Sequence, residues 1–197
     1  MKWTSRVGIM SLVGILAACG RPTPATAPDG AAGSTAVHPP EAIALMASGG
    51  GRYLLINSID AQFAFSANQS GSARAAGQLH QILEFQGQHV EFHGTVTCLS
   101  VDEEKGRAWI GGIITQNRSV HPQFMAARNQ PGRDIWFRVL DGDEGNGGGT
   151  DRTTFLGFEG DAGFATSAAY CEGRPWPGDA ANTNTWAVTS GNIQVRP

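Results

Sequence analysis

From residue 52 onward, hydrophobic positions recur every second residue rather than every three or four. In "AQFAF", Ala61, Phe63 and Phe65 share one face. In "HVEFHGTVTCLSV", Val90, Phe92, Val96 and Cys98 fall on one side, with His89, Glu91, His93, Thr95 and Thr97 on the other. "DIWFRVL" sets Ile135, Phe137 and Val139 against Trp136, Arg138 and Leu140, and "RAWIGGIIT" and "GNIQVR" behave alike. A period of two marks strands, because successive side chains leave a strand on opposite faces. The β-branched and aromatic residues in these runs suit a pleated surface. Turn-forming residues separate the runs at Asn68–Gly71, at Asp102–Gly106 and after Asp141. The pattern predicts an all-β fold of about seven to nine strands, a single antiparallel β-sandwich or small β-barrel.

Within it, "VTCLSVDEEKGRAWIGGIIT" reads as one hairpin, with Cys98 pointing inward beside Val96. Gly111-Gly112 inside a strand predicts a bulge or the close approach of another backbone. Cys171, in "AAYCEG", is expected on or next to an edge loop. Upstream, Glu41–Ala47 has the composition for two helical turns, and Gly49-Gly50-Gly51 separates it from the first clear strand.

The N-terminus follows another logic. Lys2 and Arg6 precede an apolar run, Val7–Ala18, that stops at Cys19. The run is shorter than the roughly 20 residues needed to span a bilayer. A charged start, a short apolar stretch and small residues at its end describe a cleaved export signal. Leu16-Ala17-Ala18-Cys19 resembles the lipobox of bacterial lipoproteins. That resemblance implies that residues 1–18 are removed and that Cys19 becomes a lipidated first residue, its several acyl chains anchoring the protein. The alternative is an ordinary secretory signal that leaves a cysteine nearby. Gly20 is not the Asp that retains such proteins at an inner membrane, so the outer membrane is expected in a cell that has one. Residues 19–45 are rich in Pro, Ala, Thr and Gly and read as a disordered tether, leaving 46–197 as one all-β domain.

The net charge of −3, with no basic stripe, argues against nucleic acid as a partner. Assigning Cys19 to lipid leaves Cys98 and Cys171, which allow one disulfide in an exported compartment. The alternative is two buried free thiols. A bridge would pin the late loop, residues 159–185, whose packing residues are Phe164, Tyr170 and Trp176.

"FAFSA" (63–67), "GTVTCLSV" (94–101), "RAWIGGIIT" (107–115), "FRVLDGDEG" (137–145), "YC" (170–171) and "SGNIQV" (190–195) follow one another in this order. Together they resemble an uncharacterised family of exported bacterial all-β proteins with the motifs V-T-C-L-x-V, a Gly-Gly hairpin, D-x-G-E-G and G-N-I-x-V. The chain departs from it in a hairpin two residues longer between Val101 and Ala108, and in "DGDEG". The resemblance implies the fold, export and a Cys98–Cys171 pair. It implies no reaction.

Two stretches carry candidate chemistry. "DGDEGNGGGTD" offers Asp141, Asp143, Asn146 and Asp151 as oxygen ligands for calcium. It departs from a helix-loop-helix calcium loop, with Gly145 at position five, Asn146 at six and Arg152 at twelve. The plainer reading is a hairpin loop whose Gly, Asp and Asn supply turn geometry. His89-x-Glu91-x-His93 projects three ligands for zinc or another divalent ion from one strand face. That face is opposite the core and looks at solvent. In a barrel with a polar lumen it would look inward, where His80 could join. No Gly-x-Ser-x-Gly, free Cys with His, or phosphate loop appears. Trp176, between Pro175 and Pro177, is expected as an exposed contact residue.

These readings favour a lipid-anchored binding or structural β module of the cell envelope, its partner a protein, a glycan or a small apolar ligand. The alternatives are a metal-dependent envelope enzyme on the histidine strand and a calcium-stabilised module.

Overall fold

The computed structural model describes residues 44–142, 149–178 and 182–197. Five strands form an antiparallel meander: β1 (Ala44–Leu54), β2 (Asp60–Ser70), β3 (Ala76–Phe85), β4 (Gln88–Asp102) and β5 (Arg107–Asn117). β6 (Asp134–Leu140) pairs with β5. On its other side β6 carries two short strands, β7 (Arg152–Thr153) and β8 (Gly157–Phe158). A short helix α1 (Ser167–Gly173) follows. β9 (Trp186–Arg196) then runs between β7 and β1. The nine strands make one sheet that closes in a barrel-like ring, which removes the exposed edges of an open sheet.

The predicted alternation holds. Ala61, Phe63, Phe65, Val90, Phe92, Ile135, Phe137 and Val139 line the interior with Tyr53, Leu79, Leu83 and Ile193. The Tyr53 hydroxyl is hydrogen-bonded by Gln81 Nε2, and Gln81 Oε1 accepts from the Leu156 amide (3.2 Å), so this interior polar pair is satisfied.

Four local expectations are corrected. Ala44–Ala47 is the start of β1, not a helix, because β1 is hydrogen-bonded on both sides, to β2 and β9. Gly49–Gly51 does not separate elements; it is the middle of β1. Gly49 faces Phe65 and Gly51 faces Phe63. A Cβ on Gly49 would stand 2.9 Å from the Phe65 ring, so glycine makes room there for the core aromatic. Cys98 does not point inward beside Val96. The register shifts between Val96 and Cys98, leaving Thr97 as the extra residue of a bulge that turns Cys98 outward. Cys171 lies in α1 rather than in an edge loop.

Outside the barrel, α1 covers β5 and β6 and makes a second apolar cluster of Trp109, Trp136 and Tyr170, flanked by Phe164 and Trp176. The Cys98–Cys171 disulfide ties the helix to β4. Gly111 permits the approach: a Cβ there would lie 2.6 Å from Cys98 Sγ and 2.7 Å from Ser167 Cβ. Asp134 Oδ1 accepts from the Ser167 amide (2.7 Å) and hydroxyl (2.5 Å). Trp176 is therefore not a free contact residue. It packs edge-on against Trp109 and lies under the guanidinium groups of Arg107 (4.3 Å) and Arg138 (5.2 Å). Burial raises the Tyr170 hydroxyl to a pKa of about 12, against the opposing influence of Arg138.

The seam between β6 and β9 is closed by two acids. β7 pairs with only Trp186 and Ala187 of β9. Farther along, the Ile193 amide donates to Asp151 Oδ2 (2.6 Å) and the Val195 amide to Asp141 Oδ2 (3.0 Å). Asp151 Oδ1 also accepts from the Gly142 amide (3.0 Å). Both acids are buried, and their carboxylates stand in for a missing stretch of ladder. Asp151→Ala orphans two amides, so it should destabilise the domain by about 2–4 kcal/mol in urea unfolding; a loss below about 0.5 kcal/mol, typical of a neutral surface change, would show that the seam does not depend on it.

Candidate functional sites

One end of the barrel is an open apolar mouth. Its pocket, about 330 Å³, is lined chiefly by Leu55, Ile59, Leu83, Phe85, Phe124 and Phe155. That volume lies at the lower end of the range for small-ligand sites. The β1–β2 connection supplies Leu55 and Ile59, the end of β3 supplies Leu83 and Phe85, and the β5–β6 connection supplies Phe124. The Asn117 amide fixes this last connection by donating to the Phe124 carbonyl (2.8 Å) and the Asn129 carbonyl (2.9 Å). Phe124 meets Phe85, Phe92 and Phe155 edge-on. Arg128 and Asp161 pair at the pocket wall (2.5 Å), so its two charged groups are matched to each other. Ile56, 69% exposed, also lines the pocket. Periodicity does not reveal this pocket, because much of its wall comes from connections. The available signal was apolar residues where solvated loops would be polar: Leu55, Ile56, Ile59, Phe124 and Phe155.

The second site is on the outer face. His89, Glu91 and His93 project from β4 away from an apolar interior, as expected for the solvent side. Glu91 is the centre, its side chain only 13% exposed. Its Oε2 meets His89 Nε2 (2.9 Å) and its Oε1 meets His93 Nε2 (2.7 Å). His80 joins without a polar lumen, because β3 sets it directly opposite His93 on the same outer face. The two imidazoles stack with centroids 4.3 Å apart. His80 Nε2 lies 3.4 Å from Glu91 Oε1, an electrostatic contact without good hydrogen-bond geometry; this nitrogen is shielded from solvent and has no better partner among the described residues. Behind the cluster, Glu84 Oε1 is 3.6 Å from His89 Nδ1, and Arg118 reaches to 3.6 Å of Glu91 Oε1. One ligand atom from each of His80, Glu91 and His93 lies within 4.8 Å of the others; His89 is outside that group.

The aspartate loop gives a different picture. Asp141 and Asp151 accept the backbone amides described above, a structural use of their carboxylates. Asp143 and Asn146 lie outside the described residues.

Hydrogen bonds from His89 and then His93 hold the Glu91 carboxyl down at a pKa of about 2. His80 is also lowered, first by burial and then by the positive charge His93 can carry. Both shifts disfavour proton uptake by the folded state. The His80 contribution is complete above about 6.5 and declines as pH falls below it; the Glu91 contribution is complete above about 4.5 and is lost as pH falls toward 2. Urea midpoints measured in EDTA should therefore fall with acidification. Between pH 4.5 and 3 they should fall less steeply in Glu91→Gln than in the unaltered protein, and equal slopes would contradict the assigned role of the carboxylate. In comparisons with known proteins, the chain matches no family model, no curated protein and no solved structure.

Proposed function

We propose that this protein is a lipid-anchored binding module of the cell envelope that holds a small apolar ligand in the mouth of its barrel. The observation that carries the ligand class is the pocket of about 330 Å³ walled by aliphatic and aromatic side chains. The closed circuit runs through eight of the nine strands, with β8 attached to β6, and eight is the number at which a barrel interior fills with side chains or admits one small ligand. Here the interior is packed along most of its length, and the space is left at one end. Burying a ligand there would remove the exposed face of Ile56 from water, at about 25 cal/mol per Å² of apolar area.

The envelope address rests on the sequence alone, on Leu16-Ala17-Ala18-Cys19. The resemblance to exported all-β proteins agrees with it, as does a disulfide in the domain. A metal-dependent envelope enzyme is the second reading, favoured by the histidine cluster, and its first requirement is an ion held there.

Two measurements test the proposal. The chain from residue 20 should take up N-phenyl-1-naphthylamine saturably, at about one dye per chain, and Ile56→Asp should weaken uptake about ten-fold, or 1.4 kcal/mol. Uptake that never saturates, or that ignores Ile56→Asp, would point away from the mouth. In cells, Cys19→Ala should move the protein out of the membrane fraction; unchanged membrane association would end the lipid-anchor reading.

A further inference from the structure

We infer that His80, Glu91 and His93 form a binding site for a divalent transition metal on the outer face of the barrel, with His89 holding the metal-binding carboxylate from behind. The strand motif alone names His89, Glu91 and His93, three positions along one strand. Alternate residues on one strand are about 7 Å apart, too far for both histidines to share an ion with the carboxylate unless the strand curves. The sheet supplies a better set, because residues directly opposite on paired strands have Cβ atoms about 5 Å apart. His80 on β3 is opposite His93 on β4; their rings stack on each other, and both Nε2 atoms approach the same carboxylate oxygen, Glu91 Oε1.

Three observations point to a ligand rather than to a surface ion-pair cluster. His80 Nε2 is itself shielded from solvent, although its side chain is 37% exposed, and among the described residues its nearest partner, Glu91 Oε1 at 3.4 Å, does not meet it with good hydrogen-bond geometry. Buried polar atoms are seldom left so, and an ion bound to this nitrogen would satisfy it. Two imidazole nitrogens and one carboxylate oxygen are a donor set suited to zinc and its neighbours rather than to calcium or magnesium. The fourth cluster member is already an orienting group. His89 engages Glu91 Oε2 at 2.9 Å and has Glu84 on its other nitrogen at 3.6 Å, the arrangement that fixes a ligating carboxylate in metal sites.

Zinc bonds of 2.0–2.1 Å place tetrahedral ligand atoms about 3.4 Å apart. The present atoms lie within 4.8 Å of one another, and binding requires the two imidazoles to turn out of their near-parallel stack so that both nitrogens converge on the ion. Binding would replace the His93–Glu91 hydrogen bond and would release any proton held by the imidazoles. Arg118, its side chain 60% exposed, can swing away from the carboxylate. Three protein ligands leave a position for water or a substrate atom. A shallow groove walled by Gly49, Ala64, Ser66 and Gln78 adjoins the His80 and His93 rings.

The test is titration of the untagged full chain, freed of metal, with Co²⁺ followed by Zn²⁺. The site should give visible cobalt bands saturating at one ion per chain and erased by one equivalent of zinc. His80→Ala, Glu91→Gln and His93→Ala should each weaken binding at least about 100-fold, whereas His89→Gln should weaken it about 10–100-fold, as loss of an outer partner does. His121, in the β5–β6 connection and outside the cluster, is the control: His121→Ala should leave the bands unchanged. Urea midpoints in EDTA identify any variant that has merely unfolded, and Gln replacing His80 gives a second probe of that position. Absent cobalt bands, or bands that survive loss of His80 and vanish with His89, would overturn the proposal.

Discussion

The fold depends on the seam that β9 closes. A meander of five strands plus β6 still has two open edges, and each presents unpaired amides and carbonyls. β9 covers the β1 edge along most of its length, but on the other side β7 is only two residues long. Asp141 and Asp151 bridge the difference by accepting the Val195 and Ile193 amides. A buried carboxylate is costly unless it is fully engaged, and backbone amides are strong partners for it. The two acids therefore belong to the closure itself. Because the ring closes, one end becomes a mouth with apolar walls.

The outer site depends on register. β3 and β4 are joined at Gln86-Gly87, both with positive φ (52° and 74°), the geometry of a two-residue turn whose twist matches the strands. That turn sets Phe85 opposite Gln88, and counting outward from it brings Glu84 to His89, Ile82 to Glu91 and His80 to His93. A slip of one residue would send all of these side chains to the other face. The histidine cluster is thus encoded as much by a glycine seven residues from His80 as by the histidines.

Alternation made most strands legible in the sequence, since Phe63, Phe65, Val90 and Phe92 repeat a period that only strands have. It failed where a local event reverses the period. Thr97 is the extra residue of a bulge opposite Gly111-Gly112; the glycine pair signals a bulge or a close approach without marking which residue of the facing strand is the extra one, so simple alternation puts Cys98 on the wrong face. β1 is illegible because its middle is three glycines; Gly49 makes room for the Phe65 ring, and a Cβ on Gly51 would strike the β9 backbone at Ser190. His89, Glu91 and His93 were found as a motif, but the better partner, His80, is a cross-strand neighbour, visible only once the register is known. The mouth pocket was harder still, because much of its wall is assembled from connections that only tertiary structure brings together.

The pleat lets one hairpin carry both sites. On β3, Leu83 faces the mouth pocket while His80 and Glu84 face outward; on β4, Phe92 enters the core while Glu91 and His93 do not. The two chemistries use alternate residues of the same strands, so neither has to compromise the side chains of the other. Substitutions of the outer residues leave the interior contacts of Leu83 and Phe92 in place, and their effects on folding and on binding can be separated. What the sites share is backbone: an ion joining His80 to His93 would cross-link β3 to β4 on the outside, and Leu83 and Phe85 would feel it as a stiffer wall, with no change of contact in the pocket.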